Sequence, residues 1–392
     1  MDTTVSLPID RTHPLQIPPV LSDLQARGPI HLVRTQVGDP AWLVTGYAEV
    51  KQLLAGGKLG RSHRDPDRAA RIGESAFVSG PAGDFDTEPA DSARTRELLL
   101  PHFSPKRMRM LRDRVAALLT GLLDELVSRP RPVDLIEALA LPLPTLVVCN
   151  LLGVPYQDRE QFFGWIHAVA DVTDRTGSLR AMGTLFQYCQ ELVARKHREP
   201  GDDITSRLCE TAGVSDIENA KLISALLFAG FETTSIHIGL GVLVFLVNSD
   251  QWQAIVADPT LVPAAVDEMI RATPGPVGGD IPRYAREDVV IGSVTIRAGD
   301  LVLLDNSAAN HDPAVFPEPD RIDVNRSTGT HLSFGYGPHY CIGAPLAKVE
   351  LEAVIRQLAR RLPRLRLAVD VHELRTNGNT QTGGLIELPV TW

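Results

Sequence analysis

Residues His331 to Glu350 read H-L-S-F-G-Y-G-P-H-Y-C-I-G-A-P-L-A-K-V-E, centred on Phe334-Gly335-x-Gly337-x-His339-x-Cys341-x-Gly343. Glycines this close together admit turns that a Cβ would forbid, so Cys341 is expected at the end of a tight loop. From Ile342 onward the pattern becomes helical. A cysteine at a helix start meets free N–H groups and the positive end of the helix dipole. Both stabilise a thiolate and tune its donation to a metal. Phe, three Gly and Cys at these offsets arise by chance in such a chain with odds on the order of one in ten thousand.

Two further clusters lie upstream. Ala229-Gly230-Phe231-Glu232-Thr233-Thr234 sits inside the most apolar run, Leu222 to Val247. A mid-helix glycine costs about 1 kcal/mol relative to alanine, and threonine hydroxyls can bond back to carbonyls and bend the helix. A glycine that only allows close helix packing would give the same pattern. Glu268-Met269-Ile270-Arg271 sets a carboxylate and a guanidinium at i, i+3, and Arg321 in F-P-E-P-D-R-I-D offers a second guanidinium. Buried charges persist when paired, so Glu268, Arg271 and Arg321 together would tie a helix to the segment ahead of Cys341. An exposed pair of little energetic weight is the other reading.

Together these motifs resemble those of the cytochromes P450, and the resemblance runs from about Pro29 to Trp392. It implies a mainly α fold with small β-sheets, a triangular single domain over residues 1–392 with 1–28 as an N-terminal extension. It implies haem b between the long central helix and the Cys loop, with Cys341 as axial iron ligand, whose electron donation favours O–O cleavage. Phe334, Gly335 and Gly343 would shape the loop. His339, Arg283 in I-P-R-Y-A-R-E-D, and Arg96 would bind haem propionates through forked or charged donors. Ala229 and Gly230 would leave room for dioxygen and a water, while Thr233 and Glu232 would deliver the protons that O–O cleavage requires. The chain departs from the family pattern at Ser92, where relatives carry a histidine four residues before Arg96, and at His311 in A-A-N-H-D-P, where arginine is more usual.

The rest of the chain bounds the function. A net charge of −9 over 392 residues disfavours nucleic acid as a partner. Arg94, Arg96, Lys106, Arg107, Arg109, Arg112 and Arg114 still form a dense basic run, which suits either a solvated helix face or a docking face for a ferredoxin. Cys149, Cys189, Cys209 and Cys341 lie far apart, against both a disulfide framework and a zinc site, and the first three are expected to fill core. Residues 1–18 lack the pattern of a signal peptide, and Leu222 to Val247 carries Glu232 and His237, as a buried helix would. A cytoplasmic monomer without membrane contact is the expectation.

Residues 30–46 read as strand, turn and strand, and 61–92 as a long lid loop. Helices are expected over 106–127, 134–152, 159–171, 179–197 and 217–247, with β-rich runs over 289–304 and 365–392. Pocket positions carried over from the family fall at 61–92, 165–185, 226–233, 276–281 and 380–385; the small residues of Pro274 to Gly279 suit a flexible loop or room over the haem. Without recognisable flavin or iron-sulfur motifs, the electrons, ultimately from NAD(P)H, would come through a separate ferredoxin and ferredoxin reductase. The leading expectation is oxygen insertion into an apolar small molecule of specialised metabolism, by hydroxylation or epoxidation. Oxidative coupling of aromatic substrates on the same haem, a non-catalytic haem sensor and, more distantly, a zinc protein are the alternatives.

Overall fold

The computed structural model describes residues 5–9, 13–278, 281–377 and 383–392. The Gly-Asp-Pro turn closes the expected hairpin: β2 (Ile30–Arg34) runs antiparallel to β3 (Pro40–Val44). Strand β1 (Val5–Ser6) pairs in parallel with β2, and α1 (Pro19–Arg27) buries Leu21 and Leu24 beside Val33 and Leu43. The described part of the expected N-terminal extension is therefore built into the sheet. The other strands are β4 (Leu59–Gly60), β5 (Val133–Asp134), β6 (Arg283–Ala285), the hairpin β7 (Val289–Ile291) and β8 (Val294–Ile296), β9 (Leu301–Leu304), β10 (Arg366–Leu367) and β11 (Pro389–Thr391). The larger sheet is ordered β1-β2-β3-β9-β6-β4, and a smaller one β10-β11-β5.

Helix α2 (Tyr47–Ala55) precedes the lid loop, which ends at Thr87 and not at residue 92. Pro89 and the acidic Glu88 and Asp91 occupy the first turn of α3 (Glu88–Leu99), where a missing N–H costs nothing and the dipole favours negative charge. Its only fully buried residue is Leu99, so no apolar period marks it in the sequence. Helix α4 (Pro105–Ser128) matches expectation. The expected helix over 134–152 divides into β5, a π-helical turn over Ile136–Ala140 and α5 (Pro142–Leu152), because Pro142 and Pro144 fit only a first helical turn.

Next come α6 (Arg159–Ala170), α7 (Arg175–Arg198) and α8 (Ile204–Cys209). Helix α7 starts four residues before the apolar pattern does, because Asp174 accepts the Gly177 N–H at 2.9 Å. The axis of the molecule is α9 (Asp216–Val247), N-capped by Ser215, with α5, α7, α11 (Val262–Ala272) and α13 (Ala344–Arg361) packed round it. Helices α10 (Ser249–Ala257) and α12 (Asn306–Asn310) complete the set. Helix α9 is long and apolar enough to cross a membrane, but 67% of that window is buried within the protein. Mainly α with small sheets is the architecture observed.

Candidate active site

The Cys loop is folded by its own main chain. The Gly335 N–H donates to the Leu332 carbonyl at 2.8 Å, Cys341 N–H to Phe334 at 2.8 Å and Tyr340 N–H to Gly337 at 3.1 Å. Gly335 and Gly337 have φ of 72° and 70°, a region costly for side-chain-bearing residues. At Gly337 a Cβ would also lie 3.1 Å from the Leu54 carbonyl oxygen of α2, so this glycine seats the loop. Gly337→Ala is expected to destabilise the protein by about 1–3 kcal/mol and to lower its haem content. A urea midpoint and a Soret-to-protein ratio equal to wild type would refute that seat.

Cys341 lies deep in the protein yet presents accessible surface, just ahead of Gly343 and the start of α13. Burial pushes its thiol up, against the N–H groups of Gly343 and Ala344 and the charge of Arg96. A metal cation would reverse that balance, because ligation requires the thiolate.

Two networks hold the loop. Asn310 of α12 accepts the Leu332 N–H at 2.7 Å and donates to Ser333 Oγ at 2.8 Å, and that hydroxyl donates to the Ile270 carbonyl of α11. In the second, Arg271 grips Glu268 through Nε and Nη2, both at 2.8 Å, and Nη1 reaches the Asn310 carbonyl at 3.0 Å. The other guanidinium on Glu268 belongs to Arg326, whose Nε lies 3.0 and 3.1 Å from the two carboxylate oxygens. The expectation for Arg321 is therefore corrected: it pairs with Glu318 at the surface. The turn, in which Glu318 has φ of 48°, presents the carbonyls of Pro317, Glu318 and Arg321 to Arg326. Two arginines five positions apart do not reveal by spacing which one turns inward, and no sequence signal singles out Asn310. His311, the departure next to it, is buried with Nδ1 2.8 Å from the Ser307 carbonyl. Burial holds its imidazole below the usual range, so no further cation joins two guanidiniums sharing one carboxylate.

Along α9 the middle is open where its flanks are closed. Ala225, Ala229 and Thr233, one turn apart, are exposed, whereas Leu222, Ile223, Leu227, Phe231, Glu232 and Thr234 are buried. Thr233 Oγ1 donates to the Ala229 carbonyl at 2.8 Å, and His237, next on the stripe, holds Nδ1 2.9 Å from the Thr233 carbonyl. His237 also feels the charge of His331, which lies ahead of the Cys loop. Gly230 does not belong to the stripe: a Cβ there would lie 2.9 Å from Val148 Cγ2 of α5. Close packing against α5 therefore requires a glycine here independently of the room for dioxygen expected of Gly230. Glu232 is on another face, in the wall of a cavity of about 240 Å³ with His167, Ser235, Ile236 and Asn377.

A cationic rim closes the site. The Arg283 side chain on β6 has no hydrogen bond or ion pair among the described residues, and the residue is half-buried. Arg96 on α3 donates Nη1–H to the Tyr340 carbonyl at 2.8 Å. Burial, with the charges of Arg283 and Arg96, holds the His339 imidazole below its usual range, so these three sequence-predicted residues do converge. Orphaned guanidinium donors beside a loop-borne thiol and an open helix stripe fit an anionic, iron-bearing macrocycle.

The lid is pinned rather than loose. Ser75 Oγ and Ser178 Oγ both donate to the Val169 carbonyl, and Phe77 meets Phe228 of α9 edge-on at 4.7 Å. Its foot is the Glu88 carboxylate, which accepts from the main chain of Arg61 and Ser62 and from Arg286. Gly275 and Gly278 are likewise tied, to Ser307 Oγ and Asp305 Oδ2. Gly279 and Asp280, and residues 380–382 of the turn over 380–385, lie outside the described residues.

Comparison with known proteins agrees with this geometry. The family model for cytochrome P450 matches residues 247–373. Pentalenolactone synthase of Streptomyces exfoliatus is 44% identical over 401 residues, covering 100% of both chains. Mycinamicin IV hydroxylase/epoxidase of Micromonospora griseorubida is 36% identical, covering 98% of each. Among solved structures, the pimaricin epoxidase PimD superposes with a TM-score of 0.90 at 38% identity, covering 100% of both chains. Full-length similarity of this degree, together with the thiolate loop and the open stripe above it, makes the chain a member of the cytochrome P450 family, the haem-thiolate monooxygenases.

Proposed function

We propose that this chain carries haem on Cys341 and inserts one oxygen atom from dioxygen into an apolar small molecule of natural-product biosynthesis. The observation that carries the reading is the Cys341 loop, turned by its own main chain, tied to α11 and α12 through Asn310 and Ser333, and delivering the thiol just ahead of α13. The relatives named above support the product class, since their names concern pentalenolactone, mycinamicin and pimaricin.

Bound haem supplies dioxygen reduction and cleavage, assisted by electron donation from the cysteine sulfur. The protein supplies the rest. Arg283, Arg96 and His339 orient the macrocycle through its carboxylates. The apolar stripe excludes bulk water, so protons must arrive at defined atoms. Thr233 Oγ1 donates its proton to the Ala229 carbonyl, which leaves its lone pairs available to accept. Glu232, buried next to it in sequence, is the acid that resupplies it from the neighbouring cavity.

Electrons come from a separate ferredoxin and its reductase. Of the basic run, Arg94 is committed to Glu218 and Arg112 reaches Glu352, which leaves Lys106, Arg109 and Arg114 exposed on α4. Helix α4 packs on α13, on the thiolate side, as a docking face for an acidic ferredoxin requires. We further place the protein in the cytoplasm, as a monomer of one domain.

The test is the spectrum of the reduced protein with carbon monoxide, with a band at about 450 nm expected and none at that position overturning the reading. Thr233→Ala should keep that band yet divert reduced oxygen to peroxide, lowering product per NADH on the order of tenfold to a hundredfold. Full product coupling in the variant would remove Thr233 from the relay.

A further inference from the structure

Arg61 follows β4 directly. In the register that pairs Leu59 with Ala285 and Gly60 with Tyr284, it stands opposite Arg283. Opposed residues of an antiparallel pair share a face about 5 Å apart, and like charges there repel. Glu88, the acid beside them, does not compensate both. Its carboxylate accepts the main-chain N–H groups of Arg61 and Ser62, the Ser62 hydroxyl and Arg286 Nη1, and Arg286 already balances its charge. Arg61 is half-buried, and burial followed by the Arg283 charge pushes its guanidinium down to about 10. Its Nη2 donates to the Phe77 carbonyl at 3.1 Å, while Nε is buried without an acceptor among the described residues. Two half-buried arginines on one face, with fork donors to spare, call for a carboxylate between them.

We propose that Arg61 binds a haem propionate together with Arg283, supplying from the lid side a charged donor where position 92 carries only the short hydroxyl of a serine. Ser92, half-buried on α3, makes no side-chain hydrogen bond among the described residues. The inference rests on the haem-thiolate reading above and extends it to a residue with a second task. Through Nη2 the same guanidinium holds the Phe77 carbonyl, and Phe77 packs on Phe228 of the central helix. Seating of the cofactor carboxylate and seating of the lid are thereby mechanically joined.

The experiment follows ferric haem transfer from the holoenzyme to excess apomyoglobin, for wild type, Arg61→Gln and Arg61→Lys. Each is loaded with haem or with haem dimethyl ester, whose propionates carry no charge. With native haem, Arg61→Gln is expected to release on the order of tenfold faster than wild type, and Arg61→Lys to lie between them. With the dimethyl ester the wild type and Arg61→Gln should release at one rate. Equal release of native haem would overturn the proposal, and so would a difference that persists with the ester, which would mark Arg61 as a lid strut only. Should Arg61→Gln fail to fold, the Lys variant carries the same comparison, since it keeps the charge but loses the fork. The wild-type carbon monoxide band at about 450 nm reports separately on the underlying reading: its presence with equal release sinks Arg61 alone, and no haem band at all sinks both.

Discussion

Replacing Cys341 by serine is expected to abolish the band at about 450 nm of the reduced carbon monoxide complex, leaving one at about 420 nm or little bound haem. The N–H groups of Gly343 and Ala344, at the mouth of α13, favour the charged form of the sulfur, a setting that stabilises a polarisable thiolate. A serine hydroxyl has a far higher pKa and a shorter reach, so it offers iron a weak neutral oxygen. Turnover should fall by more than about a thousandfold, because the electron donation that assists O–O cleavage is gone. The fold should survive, since the Cys341 N–H to Phe334 bond and the Asn310 contacts involve no sulfur. Unchanged far-ultraviolet dichroism with lost thiolate absorption is the expected pair of results. A retained band at about 450 nm would assign the ligand elsewhere.

The second large effect lies behind the loop. Glu268, Arg271 and Arg326 are 3%, 2% and 9% exposed at their side chains, so removing the shared carboxylate strands two cations away from water. Glu268→Ala is expected to cost about 3–5 kcal/mol, read as a fall in the urea midpoint, with haem content falling alongside. Arg326→Ala should approach that loss, because Arg326 also ties the carbonyls of the 317–321 turn. Arg321→Ala should stay within about 0.5 kcal/mol, its partner Glu318 being 71% exposed. Equal losses at the two arginines would contradict the arrangement described.

Helices with an apolar stripe and punctuated ends were legible in the sequence, as Pro105–Ser128 after Ser104 and Asp216–Val247 after Ser215 show. Elements defined by distant partners were not. Asp134 reads as a helix start because its neighbours are helical, yet it pairs with Pro389 from the other end of the chain, as Val133 does with Val390. Helix α3 shows no apolar period in the sequence because its faces are polar almost all round. At the site, Cys341 stood out through the glycine-framed loop and helix start that carry it, whereas Thr233, Arg96, Arg283 and His339 entered only as what the resemblance to the family implies. The assignment of Arg321 failed because which way a residue turns depends on what packs against it, here the carbonyls of a distorted turn that hold Arg326 inward.

The Asn310 network has a bearing on how the loop fluctuates. Its side chain joins the loop to Ile270 and its carbonyl joins it to Arg271, so loop and α11 cannot part without breaking bonds that also close the helical core. Local opening of the Leu332 and Cys341 amides should then require nearly the free energy of global unfolding, although both lie in irregular chain. Their hydrogen exchange should track that of α11 and be far slower than that of ordinary loops. The sulfur inherits its positional constancy from the slowest-opening part of the protein.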